Sequence, residues 1–244
     1  MTEIDALLEA ALKSLPPKPD DTAPASVKKR YSEQVSNAVA PAFAEELRRR
    51  GLASARPAPP GVVGLSGAER RMAGAIGAKK VDVTWATEES GLLLALSIKS
   101  INFRDNRTGN FQKNLTNRRG DLLYEAVTLH RRFPYAVLGG FLFLDRGAAS
   151  DHTASRRSTF INADSRLRLF DGRNDPAGRD EQYERLYVVL LEATPFSVWW
   201  ETYRVGRPTE PVALKDALDD MIALVAERNP DFYEVEDGVL RSAR

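Results

Sequence analysis

The feature that most restricts the fold is an unbroken apolar run, Tyr135–Leu144, which fits a buried central strand. Ahead of it lie a helical pattern from about Thr116 to Arg132 and a second strongly apolar strand, Leu92–Ile101. Lys80–Thr87 reads as another strand, joined to Leu92–Ile101 as a hairpin across Glu89-Ser90-Gly91. Ser66-Gly67-Ala68-Glu69 opens a short helix before it. Downstream, 156–170 and 211–228 read as helices, and 185–194 and 197–205 as strands. The order helix, strand, strand, helix, strand, followed by additions, predicts an α/β fold with a mixed sheet.

Upstream, Ile4, Leu7, Leu8, Ala11 and Leu12 recur at helical spacing, and Pro16, Pro17, Pro19 and Pro24 then stiffen a connector. A second helix is expected from about Ser26 to Arg50, bent near Pro41 and closing on Gly51. Residues 51–64, with Pro57, Pro59, Pro60 and Gly61, read as a linker and place a domain boundary there. Residues 1–60 are thus expected to be a helical accessory region without a chemical motif, and 61–244 the domain that carries function.

Composition narrows the chemistry. The chain of 244 residues has no cysteine and two histidines, which excludes disulfides, thiolate zinc sites, a cysteine nucleophile and multi-histidine metal centres. Any metal must rest on carboxylates, which suits a hard ion such as Mg2+. No stretch of about 18 apolar residues is present to span a membrane. Met1-Thr2-Glu3-Ile4-Asp5 lacks the pattern of a secretory signal, and the expected location is cytoplasmic. The formal charge of +1 hides an asymmetry: 97–132 carries eight Lys and Arg against three acids, and 209–244 carries four against nine. A locally basic middle matters for partners because charges act over only about 10 Å at ordinary salt.

Asp82 sits in the first strand of the hairpin and Lys99 in the second, and an ionised group in an apolar strand is costly unless paired or coordinated. Alternation puts Ser97 and Lys99 on one face and Leu96 and Ile98 on the other. Hairpin register brings Asp82 near Lys99, either as a cross-strand salt bridge or as part of a metal site. The helix after Thr116 carries Arg118, Asp121, Glu125 and Arg132 along one stripe, above a buried face of Leu122, Leu123, Ala126, Val127 and Leu129. Asp121 and Glu125 repel one another unless a cation stands nearby, which Arg118 or a divalent ion shared with Asp82 would supply.

Asp82, a turn, and then Ser97-Ile98-Lys99 ending an apolar strand resemble the PD-(D/E)XK nuclease superfamily over about 65–145. The resemblance implies a restriction-endonuclease-like αβββαβ core, with a mixed central sheet flanked by helices, plus the N-terminal helical extension. The family has an acid two residues before its lysine, where this chain has Ser97. Some members with that substitution recruit a carboxylate from the following helix, which here means Glu125, or else Asp121. By this resemblance Asp82, Glu125 (or else Asp121) and the Ile98 carbonyl hold Mg2+, with Mn2+ able to substitute, and Lys99 orients water and stabilises charge. Glu69 is a further acid of the site by the same likeness, or the glutamate of a capping box with Ser66.

The polar loop 102–115 suits nucleic acid, as it mixes basic, amide and aromatic residues. The residues expected to contact it are Arg104, Arg107, Asn110, Gln112, Lys113, Asn114, Asn117, Arg118 and Arg119, while Phe103 and Phe111 either stack on bases or tuck into the core. Trp199, Trp200, Tyr203 and Phe196 read as sheet packing, Gly139-Gly140 as close packing, and the acidic tail as a solvated helix face. The expected function is Mg2+-dependent DNA endonuclease of type II restriction or phage-defence kind, acting as a homodimer without a membrane. Alternatives are a catalytically inactive nucleic-acid-binding subunit of a defence complex with partner proteins, and a nuclease acting on RNA.

Overall fold

The computed structural model describes residues 2–62, 70–154, 156–194 and 197–243. Glu69, the helix start at Ser66 and Phe196 lie outside them. Two helices open the chain, α1 (Glu3–Lys13) and α2 (Ala25–Arg49). Thr2 caps α1 with its hydroxyl while Asp5 returns a carboxylate to the cap N–H. Next come β1 (Arg70–Ala73), β2 (Ala78–Val81), β3 (Val83–Thr87), β4 (Gly91–Ile101) and α3 (Leu115–His130). The chain continues through β5 (Val137–Asp145), α4 (Thr159–Leu167), β6 (Arg185–Ala193), β7 (Val198–Arg204), β8 (Pro211–Val212) and α5 (Leu214–Arg228). A hairpin, β9 (Tyr233–Glu236) and β10 (Val239–Ser242), closes it.

The central sheet is mixed and six-stranded, in the order β3-β4-β5-β6-β7-β8. β3 pairs antiparallel with β4, β4–β5 and β5–β6 are parallel, and β6–β7 and β7–β8 are antiparallel. Strand alternation divides the apolar side chains between two faces. Leu94, Leu96, Ile98, Val137, Phe141 and Phe143 meet α1, α2 and α5 on one. Ala95, Leu138, Leu142 and Leu144 meet α3 and α4 on the other. At Gly139 and Gly140 the approach is close on both faces: a Cβ would run into Met221 and Leu96 at the first, and into Leu186 at the second. Close packing is therefore what these glycines serve.

Several expectations change. Where a helix was expected after Ser66, the described part, Arg70–Ala73, is a strand that pairs antiparallel with β2. The expected strand Lys80–Thr87 is interrupted at Asp82, before which the chain pairs with β1 and after which it pairs with β4. Residues 1–60 are helical as expected, but their helices share one core with the sheet. Val35, Val39, Phe43 and Leu47 of α2 are fully buried in it. Buried Arg50 binds Glu46 at 2.6 Å and also Asp219 of α5, and its carbonyl accepts the Leu240 N–H. The expected linker is tied down as well, since Arg56 and Thr84 exchange both main-chain hydrogen bonds at the β3 edge. Of the acidic tail, Asp216, Asp219, Asp220 and Glu227 lie on α5, as a helix face, while the part beyond α5 is the β9–β10 hairpin. No helix among the described residues is long and apolar enough to cross a membrane.

Candidate functional site

Asp82 occupies the bend between β2 and β3. The register that pairs Val83 with Leu96 sets Asp82 beside Ser97, just where the main-chain ladder ends. Its Oδ2 accepts the Ile98 N–H at 2.6 Å, so the carboxylate continues the pairing that the interrupted strand gives up. The same oxygen lies 3.4 Å from Lys99 Nζ. Lys99 and Ser97 share the α3 face of β4, as alternation requires, and Ser97 is 2% exposed.

Glu125 reaches the same lysine from α3. Its Oε2 is 3.5 Å from Lys99 Nζ, and the residue is 1% exposed. Three segments remote in sequence thus place two carboxylates about one ammonium. Burial disfavours the charged lysine, but the Glu125 and Asp82 charges and the Asp82 hydrogen bond outweigh it and raise the Lys99 pKa above its ordinary value. Lys99 is therefore an ammonium, a donor and not a base. Behind it, the buried Tyr183 hydroxyl donates to the Leu122 carbonyl at 3.3 Å. Burial, reinforced by the Glu125 charge, raises its pKa well above the usual phenol value, so it remains a donor.

Asp121 lies one turn nearer the start of α3 and pairs with Arg118 at 3.1 Å, which is the pairing that the helix stripe allowed. Among the described residues, no group of three or more His, Asp or Glu is placed to hold a metal ion. What the centre offers is a pair of carboxylates, Asp82 and Glu125, with Asp121 turned toward Arg118.

Asp82, Lys99 and Asp121 open on a cleft of about 900 Å³. Among the described residues, seven Lys or Arg side chains line it against three acids, Glu33, Asp82 and Asp121, which makes it electropositive. Of the expected nucleic-acid contacts, Arg104, Lys113, Asn114, Asn117 and Arg118 line the cleft, whereas Arg107, Asn110, Gln112 and Arg119 do not. Those four serve elsewhere or face solvent: Asn110 accepts the Gln112 N–H at 3.1 Å, and Arg119 stands over the Phe170 ring. Loop 102–115 is a built structure. Asp105 accepts from Thr108 and Arg107 N–H and pairs with Lys113 at 2.9 Å; the Lys113 hydrogen bond, first among these causes, brings its pKa down to about 2. Phe111 is buried, whereas Phe103, half-buried, packs edge-on to Tyr31 and also lines the cleft.

Sequence reasoning missed the opposite wall. The N-terminal half of α2 lines the cleft with Lys28 and Lys29, and Ser32 Oγ accepts from the Asn102 amide at 3.1 Å. The run Lys28-Lys29-Arg30 was the available signal. Comparison with family models, curated proteins and solved structures finds no match.

Proposed function

We propose that the chain is a divalent-metal-dependent nuclease that hydrolyses phosphodiester bonds in DNA. The convergence of Asp82 and Lys99 on the floor of an electropositive cleft, with the buried Glu125 paired to the same lysine, carries this reading. The sequence of elements α2, β1, β2 with β3, β4, α3 and β5 supports a restriction-endonuclease-like αβββαβ core, since the acid lies on the interrupted strand and the lysine on the next.

The donor chemistry fits Mg2+. That ion commonly takes one or two carboxylates and completes its shell with water and substrate phosphate. Asp82 and Glu125 would hold it, with the Ile98 carbonyl and Asp121 as further oxygens; Mn2+ would serve as well. When bound, such an ion supplies an acidified water and neutralises charge on the phosphate. The chain's own groups do the rest. The Ile98 N–H fixes the Asp82 carboxylate, and Glu125 and Asp82 together fix the Lys99 ammonium. Lys99 donates to the negative charge that grows on the phosphate oxygens. Lys113 and Arg118 bind neighbouring phosphates and set the register of the strand.

The test is incubation of plasmid and linear DNA with Mg2+ and the wild type, Lys99→Ala or Asp82→Ala protein. The expected result is cleavage by the wild type and a loss of about 10²–10³-fold in each variant, typical for removal of a group that stabilises the transition state. Equal cleavage by all three would end the reading. Ser97 in place of an acid, and a Glu125 engaged with Lys99, favour a second reading as a nucleic-acid-binding subunit without catalysis. Salt-sensitive DNA binding with no cleavage under Mg2+ or Mn2+ selects it.

A further inference from the structure

The wall that α2 contributes to the cleft has a regularity of its own. Lys28, Lys29, Ser32, Glu33, Ser36 and Asn37 line the cleft and recur at the spacing of a single helix face. The adjoining face, Tyr31, Val35 and Val39, is buried in the core. The cleft-facing stripe is therefore polar by composition and fixed in place by the apolar one. Two hydrogen bonds lock this wall to the end of β4, close to Lys99: the Ser100 hydroxyl donates to the Ser32 carbonyl at 3.4 Å, and the Asn102 amide donates to the Ser32 hydroxyl.

The charges on this wall stand against helix electrostatics. The first turn of α2 has no acid, and Lys28, Lys29 and Arg30 follow directly, where the positive end of the helix dipole disfavours cations. Intrachain pairing does little to offset this. Lys29 meets Glu33 at 3.8 Å with its side chain 79% exposed, a geometry worth little. Lys28 donates to the Asp21 carbonyl at 2.8 Å and stands 5.9 Å from the centre of the Phe103 ring, which holds its ammonium in position at the cleft. Across the cleft stand Lys113 and Arg118. Cations thus stand on both walls, with Asp82 and Lys99 on the floor between them, Glu33 on the α2 wall and Asp121 beside Arg118.

We infer that the N-terminal half of α2 is the second wall of a nucleic-acid-binding cleft, in which Lys28 and Lys29 contact the phosphates of a strand whose other side meets Lys113 and Arg118. Small side chains at Ser32 and Ser36 let the sugar–phosphate backbone approach the helix, and Asn37 offers it hydrogen bonds. This rests on the nuclease reading for its ligand class but assigns residues 1–60 a part in substrate binding.

The experiment is fluorescence anisotropy of labelled duplex and single-stranded oligonucleotides in EDTA, across a salt series, with the full chain. It compares wild type with Lys28→Ala/Lys29→Ala, Lys113→Ala/Arg118→Ala, Glu33→Gln and a control remote from the cleft, Lys13→Ala/Arg179→Ala. Loss of two phosphate contacts reduces the slope of log Kd against log salt by about 1.8 on duplex or about 1.4 on single strands. That reduction is expected for both cleft pairs and not for the control, and Glu33→Gln tightens binding. If Lys113→Ala/Arg118→Ala weakens binding while Lys28→Ala/Lys29→Ala leaves affinity and slope at wild-type values, the α2 wall is overturned and the nuclease reading stands. If the wild type binds neither oligonucleotide at low salt, both fall.

Discussion

Lys99 on β4 and Glu125 on α3 face one another at 3.5 Å, with the glutamate almost wholly removed from water. A carboxylate so placed is stabilised by the ammonium that answers it, and the lysine by this carboxylate together with Asp82 at 3.4 Å. The pair is therefore expected to be coupled in its effect on stability. Glu125→Gln and Lys99→Met should each destabilise the fold, and the double variant should lose less than the two single losses combined. A coupling of about 1–3 kcal/mol is expected from urea denaturation of all four proteins. Additive losses would show that the two groups stand near one another without interacting.

A second buried ionic network lies at the other end of β5. Glu184, fully buried, accepts from Arg228 at 2.8 Å and Arg173 at 3.0 Å through one oxygen, and from the Leu138 N–H at 2.7 Å through the other. His130, also buried, sets its ring nitrogens 3.3 Å from that second oxygen and 3.0 Å from the Asp180 carbonyl. Burial raises the Glu184 pKa, but the His130 hydrogen bond and charge, Arg228 and the Leu138 N–H outweigh it, so the net direction is down. A depressed folded-state value means that the stabilisation is present above the ordinary glutamate range and lost as pH falls through the lower folded value. Glu184→Gln leaves two buried guanidinium groups uncompensated and should cost about 3–5 kcal/mol at neutral pH. Melting curves from pH 7 to pH 3 should show the wild type losing stability toward the acid end more steeply than the variant.

What could be read from the chain follows from where the deciding physics lies. The apolar run ending at Leu144 and the alternation of Leu96, Ser97, Ile98 and Lys99 are local patterns, and the strands and faces came out as they imply. The approach of Asp82 to Lys99 followed from hairpin register, again a local matter. The interruption at Asp82 did not, because it depends on β1 competing for the preceding residues. Leu122, Glu125, Ala126 and Leu129 form one apolar stripe with an acid inside it, a sign that Glu125 is buried against a partner. That stripe was open to reading, but the neighbouring charges Arg118, Asp121 and Arg132 drew attention to the wrong face. Asp237-Gly238 between Val235 and Val239 is a two-residue turn signal, and both residues adopt positive φ; the density of acids hid it. Although Lys28-Lys29-Arg30 signalled a basic face, the packing position of α2 could not be seen. It is set by packing and by contacts such as Ser32 with Asn102, which join segments seventy positions apart.

Asp171 gives the opposite pH dependence from Glu184. Burial raises its pKa to about 6, against the lowering influence of the Leu186 N–H at 2.6 Å and of Arg204 and Arg185. A raised folded-state value means that the stabilisation is full below the ordinary aspartate range and lost as pH climbs through about 6. The loss amounts to at most about 3 kcal/mol, because a tenfold difference in proton affinity between the folded and unfolded chain is worth about 1.4 kcal/mol. Asp171→Asn keeps an acceptor for the Leu186 N–H and removes the charge. Between about pH 4 and pH 6 (roughly the interval between the two values) the variant should therefore hold its denaturation midpoint where the wild type declines. Parallel curves would show that Asp171 ionises normally.

Gly139 and Gly140 separate stability from site geometry, because adjacent positions of β5 face opposite layers. A methyl group at Gly139 meets Met221 and Leu96 on the α5 side, away from Lys99. One at Gly140 runs into Leu186 and lies in ordinary contact, at 3.5 Å, with the Tyr183 ring, on the face that holds Ser97, the register partner of Gly140. Tyr183 bonds to the Leu122 carbonyl of α3, so a shift of Leu186 that reaches its ring moves the turn that carries Glu125. Both alanine substitutions should cost about 1–3 kcal/mol by overpacking. On the proposed nuclease reading, only Gly140→Ala should also reduce DNA cleavage, by tenfold or more if it shifts Glu125 by a fraction of an ångström. Cleavage rates measured well below both melting temperatures check this. Equal rates in the two variants would mean that the Tyr183 contact does not transmit to the Lys99 centre.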